Sequence, residues 1–182
     1  IGALAGADYD VGSEASYEYG ERSAPEERNA KVQGTSLVAI AQRTDHVVHF
    51  VPPAGTPSFE PRLWHSRLGS YIHHHDRWFH DGVDIRFLYV TETGGHLDTV
   101  RDDGEIYEML LRQLWAEWDH IKNGPHREEA ACWDLLWVSP KSGKRESRRF
   151  IGDVVLTQAD VESATSFEDS IGCGGYGVDV HE

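Results

Sequence analysis

The chain has 182 residues, of which 39% are hydrophobic and 26% are charged, a balance typical of one soluble globular domain with a hydrophobic core. Its net charge of −14 argues against a general nucleic-acid or anionic-membrane binder, because both depend on a basic surface. No apolar stretch approaches the roughly 20 residues of a membrane span. Cys132 and Cys173 are too few, and too differently placed, for a disulfide framework or a zinc site.

The first third of the chain changes composition twice. Residues 2–29 are dominated by glycine and acidic residues, and residues 31–49 are rich in β-formers, which predicts one or two strands. Pro52, Pro53, Gly55 and Pro57 then interrupt regular structure. Residues 59–81, which are rich in His and aromatic side chains, are predicted to form a long excursion.

The middle of the chain predicts a strand followed by the longest helix. Residues 84–91 favour a strand that ends at Gly94-Gly95. Asp102, with Glu105 three residues later, is expected to cap a helix that stops near Asn123. Its apolar stripe consists of Ile106, Tyr107, Leu110, Leu111, Leu114, Trp115, Trp118 and Ile121.

The last third is predicted to return to strands and one short helix. Residues 133–138 read as a strand, residues 139–143 as a turn, and residues 145–156 as extended chain. Thr157 is a plausible N-cap for a helix over residues 158–164. The fold class expected from these elements is α+β, rich in strands and with one long amphipathic helix.

A basic cluster at residues 144–149 stands out in this acidic chain. In an extended segment, Arg145 and Arg149 would share one face, while Lys144, Glu146 and Arg148 would share the other. Because guanidinium groups hold carboxylate or phosphate in a bidentate manner, one interpretation is an anion-binding face. The alternative interpretation is a structural network of ion pairs.

Residues 172–177 read GCGGYG and match the letters of a dinucleotide-binding fingerprint. That fingerprint works as a turn between a strand and a helix, with an acidic residue about 20 positions further on. The residues that follow, VDVHE, do not predict a helix. A glycine-rich loop that allows close approach is the preferred interpretation.

A His-rich segment suggests a metal site. His73, His75 and Asp76, with His80 nearby, offer two imidazoles and a carboxylate, a set that binds zinc or iron. Consecutive residues diverge on a strand and on a helix, so the spacing is poor. A polar surface or pocket lining is the preferred interpretation, and no metal ligand is assigned.

The tryptophans fall into two groups. Trp115 and Trp118 lie on the apolar helix face, and Trp133 and Trp137 are expected on one face of a strand, so all four are predicted to pack in the core. Trp64 and Trp78, in the His-rich segment, are the better candidates for ligand contact or for interdomain packing.

Several segments together resemble a family of FAD-dependent oxidoreductases found beside glycan-degradation enzymes and sometimes labelled xanthan lyase. The resemblance spans nearly the whole chain, and its segments occur in family order. They are LAGADY at 4–9 with VG at 11–12, EYGE at 18–21, ETGG at 92–95, WDHIKN at 118–123, GKRESRR at 143–149, VLTQADV at 155–161, and GGY at 174–176 with Asp179 and His181.

The resemblance implies a two-domain enzyme, of which this chain is an internal fragment without the glycine-rich FAD loop. Residues 1–30 would be the edge of the FAD-binding domain, residues 31–143 the substrate or cap domain, and residues 144–182 a return segment facing the flavin. The implied partners are a small-molecule substrate, with a carbohydrate as one candidate, and the remainder of the FAD-binding domain. The fragment alone is expected to bind FAD weakly or not at all.

The implied chemistry is hydride transfer from a carbinol carbon to flavin N5, in which the cofactor performs the redox step. His181 is the candidate catalytic base and Asp179 its orienting partner. Where an Ala-Tyr type of pair is expected, the chain has Gly172-Cys173. The residues expected to contact the cofactor are Arg145, Glu146, Arg148, Arg149, Gly174 and Gly175.

Two functions from other classes remain open at this point. One is a metal-dependent hydrolase or oxygenase built on the segment from His73 to Asp76. The other is a non-catalytic carbohydrate-binding module that uses Trp64, Trp78 and the basic cluster.

Overall fold

The computed structural model describes residues 1–59 and 82–175. These residues hold two small sheets and three α-helices, which confirms the expected mixture of strands and helices. None of the described helices is both long and apolar enough to cross a membrane. The elements are a 3-10 helix (Ala3–Ala5), β1 (Tyr9–Asp10), α1 (Ser16–Tyr19), β2 (Thr35–Arg43), β3 (Ile85–Thr93), α2 (Asp103–Asn123), β4 (Trp133–Val138), β5 (Arg149–Phe150) and α3 (Gln158–Ser163).

The described chain divides into two compact units. The flanking unit contains residues 1–33 and 146–175, and the central unit contains residues 34–59 and 82–145. The boundary falls inside the basic cluster, between Arg145 and Glu146.

The central unit is an antiparallel three-stranded sheet with β2 between β3 and β4. Leu37, Ala39 and Ala41 of β2 are buried, while Val38 and Ile40 between them are less so, because side chains alternate between the two faces of a strand. Helix α2 packs on the buried face. The opposite face, on which Val38 and Ile40 lie, is called here the outer sheet face.

One hydrophobic core joins α2 to the sheet. It includes Trp118 and Trp133, each 1% exposed, so these two tryptophans pack in the core as predicted. Burying apolar side chains of this size contributes about 1.5–3 kcal/mol each. The buried members are Leu37, Ala39, Ala41, Leu88, Val90, Ile106, Leu110, Leu114, Trp118, Ile121, Ala130 and Trp133.

Helix α2 begins and ends where the sequence predicts, after Asp102 and at Asn123. The predicted cap is wrong in one respect, since the Asp102 side chain makes no capping hydrogen bond. Its carboxylate instead accepts a hydrogen bond from the backbone N–H of Asp98 at 3.0 Å. Asp103 and Glu105 in the first turn favour the positive end of the helix dipole.

The prediction that Trp133 and Trp137 share one face of β4 is wrong. The register between β2 and β4 shifts, so that Ala41 pairs with Leu135 but Ile40 pairs with Trp137. This β-bulge adds one residue on β4. Side chains beyond it therefore lie on the face opposite to the one that strict alternation predicts. Trp137 consequently lies on the outer sheet face, where it is 45% exposed.

The flanking unit is held by a two-stranded pairing of β1 with β5, in which Tyr9 is opposite Phe150. The predicted extended segment 145–156 is wrong for most of its length, because only Arg149–Phe150 forms a strand and the chain bends at Arg145 and Ser147. The short helix predicted near residue 158 is confirmed as α3, and the hydroxyl of Thr157 accepts from the backbone N–H of Asp160.

Candidate functional site

The basic cluster does not form the single cationic face that an extended chain would give. Lys144 and Arg145 belong to the central unit, while Arg148 and Arg149 belong to the flanking unit. The bends at Arg145 and Ser147 break the two-residue alternation on which the prediction depended. The extended chain on which that prediction depended is therefore interrupted, and each cation is considered in its own unit.

Arg149 is the centre of an ion-pair network in the flanking unit. One guanidinium nitrogen donates to Glu14 at 2.6 Å and another to Glu146 at 2.7 Å. The second oxygen of Glu146 accepts from the backbone N–H of Gln33 at 2.9 Å. Partial burial works against the charged form, but hydrogen bonds to Glu14 and Glu146 prevail and raise the pKa of Arg149. Two carboxylates already neutralise this guanidinium, which favours the structural interpretation for Arg149 and Glu146.

Arg148 has an aromatic partner. Its guanidinium carbon lies 5.0 Å from the centroid of the Tyr9 ring, within the range of a cation–π contact. Tyr9 is held in place because it pairs with Phe150 across β1 and β5. The contact fixes Arg148 against the two-stranded sheet of the flanking unit.

Lys144 is paired with the start of helix α2. Its ammonium group donates to the Asp103 carboxylate at 2.6 Å, and the Ser142 hydroxyl donates to the same oxygen at 2.6 Å. The hydrogen bond from Lys144, followed by that from Ser142, lowers the pKa of Asp103. These contacts tie the segment after β4 to the N-terminus of α2.

A pocket of about 390 Å³ lies on the outer sheet face of the central unit. Its floor comes from β2 and β3, and its wall comes from the segment that follows β4. Backbone hydrogen bonds between Ser36 and Gly143, at 3.0 and 2.7 Å, hold that wall beside β2. The lining residues are Ser36, Val38, Tyr89, Ser139, Lys141, Ser142, Gly143, Lys144 and Arg145.

Ser36 is the unusual member of this pocket. It is 3% exposed, and its hydroxyl oxygen has no hydrogen-bond partner among residues 1–59 and 82–175. A buried polar group without a partner costs about 1–3 kcal/mol, so such groups are uncommon in folded proteins. Ser36 and Val38 are two residues apart on β2, so both side chains lie on the outer sheet face.

Arg145 is the one predicted cofactor-contact residue that lines this pocket. One of its guanidinium nitrogens lies 3.5 Å from the Tyr89 hydroxyl. Arg145 and Tyr89 therefore place a cation and a phenol side by side at the pocket.

The glycine-rich segment has no regular structure in the part that the structure describes. Gly172, Gly174 and Gly175 are exposed, and a Cβ added at any of them would meet no described atom within 4 Å. Packing among the described residues therefore does not require glycine at these positions. Cys173 is exposed and Cys132 is half-buried, and neither forms a disulfide.

Several predicted site residues lie outside the described residues. They include the proposed base and its orienting partner, the His-rich cluster and two tryptophans. Among residues 1–59 and 82–175, no group of three or more His, Cys, Asp or Glu side chains could hold a metal ion. The residues concerned are Asp179 and His181, then His73, His75, Asp76 and His80, then Trp64 and Trp78.

Sequence reasoning missed three features of the pocket. Tyr89 was recognised only as a strand residue, although its position opposite Val38 brings it to the outer sheet face. Ser36 carries no sequence signal, because its lack of a partner is a property of packing. The sequence predicts only a turn at Lys141. Because Lys141 lies four residues before Arg145, counting it with residues 144–149 would have included it in the basic cluster.

Comparisons with known proteins bear on the whole chain. A family model described as FAD dependent oxidoreductase matches residues 1–182. Neither the curated proteins nor the solved structures gave a match. The match covers every segment on which the resemblance was based, including both sides of the basic cluster. The chain therefore belongs to the FAD-dependent oxidoreductase family.

Proposed function

We propose that this chain forms part of an oxidoreductase that uses FAD to remove hydride from a carbinol carbon of a sugar or related polyol. The observation that carries the proposal is the family match over residues 1–182. Flavin N5 supplies the hydride acceptor in such chemistry. We propose that the chain belongs to the subtype of this family that is found beside glycan-degradation enzymes. The segments quoted for the resemblance occur in the order typical of that subtype.

We propose that the two units have different roles in the enzyme. We assign the central unit to the substrate or cap domain, for which the sequence predicts residues 31–143, because it has its own core and a pocket on its outer sheet face. We assign residues 1–33 and 146–175 to the FAD-binding side, for which residues 1–30 and 144–182 were predicted.

The described residues do not fit the pyrophosphate of FAD. The N-terminus of α2 carries Asp103 and Glu105, which repel phosphate, and α1 and α3 have only four and six residues. Among the described residues, no strand leads into Gly172 and Gly174, as a phosphate loop needs. We infer that the pyrophosphate is held by other parts of the enzyme, as expected for an internal fragment.

Contacts to the rest of the cofactor stay predictions for Arg145, Glu146, Arg148, Arg149, Gly174 and Gly175. Arg149 and Glu146 are already paired with each other, so their expected contribution is to stiffen the return segment. Arg145 is the member for which we expect a direct ligand contact, because it lines the pocket.

We propose that His181 accepts the hydroxyl proton of the substrate and that Asp179 orients its ring. Neutral imidazole is the usual proton acceptor near neutral pH. The test replaces His181 with Ala, with His49→Ala as the control, since His49 is exposed and lies in the central unit. Substrate-dependent flavin reduction is expected to fall at least about 100-fold for His181→Ala. Unchanged flavin reduction in His181→Ala would show that His181 is not the catalytic base.

The fragment proposal has a direct test of its own. Titrating the purified 182-residue chain with FAD should give weak binding or none, because the described residues lack a pyrophosphate cradle. Stoichiometric FAD that survives purification of the isolated chain would contradict this. The domain proposal predicts in addition that β2, β3, α2 and β4 of the central unit resist limited proteolysis together.

A further inference from the structure

We propose that the outer sheet face of the central unit binds a neutral oligosaccharide, with one sugar unit in the pocket at Ser36 and the next units along β2 between Phe87 and Trp137. The inference rests on the proposed function and deepens it, because it names the class of carbinol substrate. It depends on three observations from the central unit, which are a buried hydroxyl without a partner, a pair of exposed aromatic rings and the distance between the hydroxyl and the rings.

The floor of the pocket offers a ligand one buried hydroxyl. Ser36 is 3% exposed, and its hydroxyl has no hydrogen-bond partner among the described residues. The hydroxyls of the wall are already used, since Ser139 donates to the carbonyl oxygen of Lys141 and Ser142 donates to Asp103. A serine hydroxyl both donates and accepts hydrogen bonds, as the hydroxyl of a sugar does. Pairing Ser36 with a sugar hydroxyl would remove the cost of leaving a buried polar group unsatisfied.

The cations of the pocket wall interact with other protein groups and do not require an anionic ligand. Lys144 donates to the Asp103 carboxylate at 2.6 Å, and this hydrogen bond is the main cause that lowers the pKa of Asp103. The charge of Lys141 acts on the same carboxylate in the same direction. A guanidinium nitrogen of Arg145 lies 3.5 Å from the hydroxyl of Tyr89. We therefore assign recognition to the buried hydroxyl and the aromatic rings, and we expect charge to contribute little.

Exposed aromatic rings lie on both sides of β2 beyond the pocket. Ile40 pairs with Phe87 on one side and with Trp137 on the other, so the three side chains share the outer sheet face. Phe87 is 67% exposed and Trp137 is 45% exposed. Because neighbouring strands lie about 4.8 Å apart, the two strands that carry these rings are about 10 Å apart. A sugar unit that lies over Ile40 can place its apolar C–H groups against the aromatic rings.

The distance along β2 sets the length of the ligand. Ser36 and Ile40 are four residues apart, which corresponds to about 13 Å in a strand. Val38 lies between them on the same face and lines the pocket, so the floor continues from the pocket to the rings. A monosaccharide at the Ser36 hydroxyl does not reach Phe87 or Trp137, whereas a trisaccharide spans the whole distance.

The exposed aromatic surface is too small for a stable interface with another protein. A fully exposed aromatic side chain offers about 150–250 Å², so the exposed fractions of Phe87 and Trp137 correspond to roughly 200 Å² in total. A stable protein interface takes about 800 Å² from each partner. The two rings therefore suit a sugar chain better than a second copy of this chain.

Calorimetry on the whole chain provides the test. The probes are cellotriose, mannotriose and xylotriose, the monosaccharides glucose, mannose and xylose, and trigalacturonate as a charged comparator. We expect at least one neutral trisaccharide to bind at least about ten-fold more tightly than its monosaccharide, with an affinity that does not fall as salt rises. The proposal is overturned if no neutral trisaccharide binds, if the monosaccharides bind as tightly, or if trigalacturonate binds more tightly.

Matched variants locate the site. Phe87→Ala and Trp137→Ala should each weaken binding of the trisaccharide at least about three-fold, and should narrow its advantage over the monosaccharide. Tyr17→Ala is the control, because it removes a ring that is 77% exposed in the flanking unit, and it should leave both affinities unchanged. Equal effects in the test and control variants would contradict the assignment.

Ser36→Ala separates binding from folding. It should weaken binding of the trisaccharide about ten-fold without lowering the melting temperature of the free chain, because the hydroxyl that it removes has no partner among the described residues. Unchanged affinity would contradict the assignment of the pocket floor. If trisaccharides bind but no carbinol reduces the flavin of the FAD-loaded enzyme, the proposed function fails and the binding site stands. If sugars reduce the flavin but chain length does not change their affinity, the binding site fails and the proposed function stands.

Discussion

Ser36 of β2 and Gly143, which follows β4, exchange two backbone hydrogen bonds, at 3.0 and 2.7 Å. This pair joins β2 to the segment that carries Lys141, Lys144 and Arg145. Replacing Gly143 with Pro removes the N–H that donates at 2.7 Å. We expect a loss of about 1 kcal/mol in the free energy of unfolding.

Gly172→Pro is the matched control for that variant, because Gly172 is exposed and a Cβ added there would meet no described atom within 4 Å. Chemical denaturation monitored by circular dichroism gives the stability of both variants. Equal stability of Gly143→Pro and Gly172→Pro would show that the Ser36–Gly143 pair does not stabilise the central unit.

The network around Arg149 predicts a structural effect. Arg149→Met leaves Glu14 and Glu146 without their shared cation. Because the side chain is 35% exposed, the expected loss is about 1–2 kcal/mol, between the values for surface pairs and for buried pairs. Arg22→Met is the control, since Arg22 is 79% exposed and pairs with Glu162 at the surface.

The control variant should cost less than about 0.5 kcal/mol. Denaturation curves for both variants give the two losses in the free energy of unfolding. Equal stability of Arg149→Met and the wild type would show that the network does not hold the flanking unit together.

Glu117 predicts how stability varies with pH. This side chain of α2 is buried, one of its oxygens has no partner, and burial raises its pKa to about 7 from 4.5. The folded state therefore keeps a proton that the unfolded chain releases. The stability from this group is complete below about pH 4.5 and is lost as pH rises through about 7, by about 3 kcal/mol in all.

Glu117→Gln cannot ionise, so its melting temperature should exceed that of the wild type above about pH 7, and the gap should close toward about pH 4.5. Glu108→Gln, on the exposed side of the same helix, should show no such pH-dependent gap. A constant difference between Glu117→Gln and the wild type across this range would contradict the prediction.

Lys122 holds the connection between α2 and β4. Its ammonium group is buried and donates to the carbonyl oxygens of Ala130, Ala131 and Trp133 at 2.7, 3.1 and 2.7 Å. Lys122→Met removes all three donors while keeping most of the volume. We expect a loss of about 2–3 kcal/mol, against little change for Lys31→Met at an exposed position, as measured by denaturation. Comparable losses in the two variants would contradict this role.

The local elements were predictable because their signals are local. The period of the apolar residues, together with Asn123-Gly124, predicted α2 to within a residue, and Thr157 predicted α3. The strand at Trp133–Val138 was also predicted correctly. Each of these depends on nearest neighbours along the chain.

The site was less predictable because it depends on register. A one-residue bulge on β4, opposite Ile40 and Ala41, carries Trp137 to the outer sheet face. Periodicity alone predicts that Trp137 lies in the core. Bends at Arg145 and Ser147 likewise divided the basic cluster. Whether the Ser36 hydroxyl finds a hydrogen-bond partner depends on how the described strands pack around it, which the sequence alone does not show.

We propose that the chain belongs to an enzyme that oxidises a carbinol with FAD. Mixing the FAD-loaded enzyme with sugars and polyols in the absence of oxygen, while following the visible absorbance of the flavin, tests this. We expect a carbinol-bearing sugar to bleach the oxidised flavin, and His181→Ala to slow the bleaching. Flavin that stays oxidised with every carbinol, but is reduced by a substrate of another class, would contradict it.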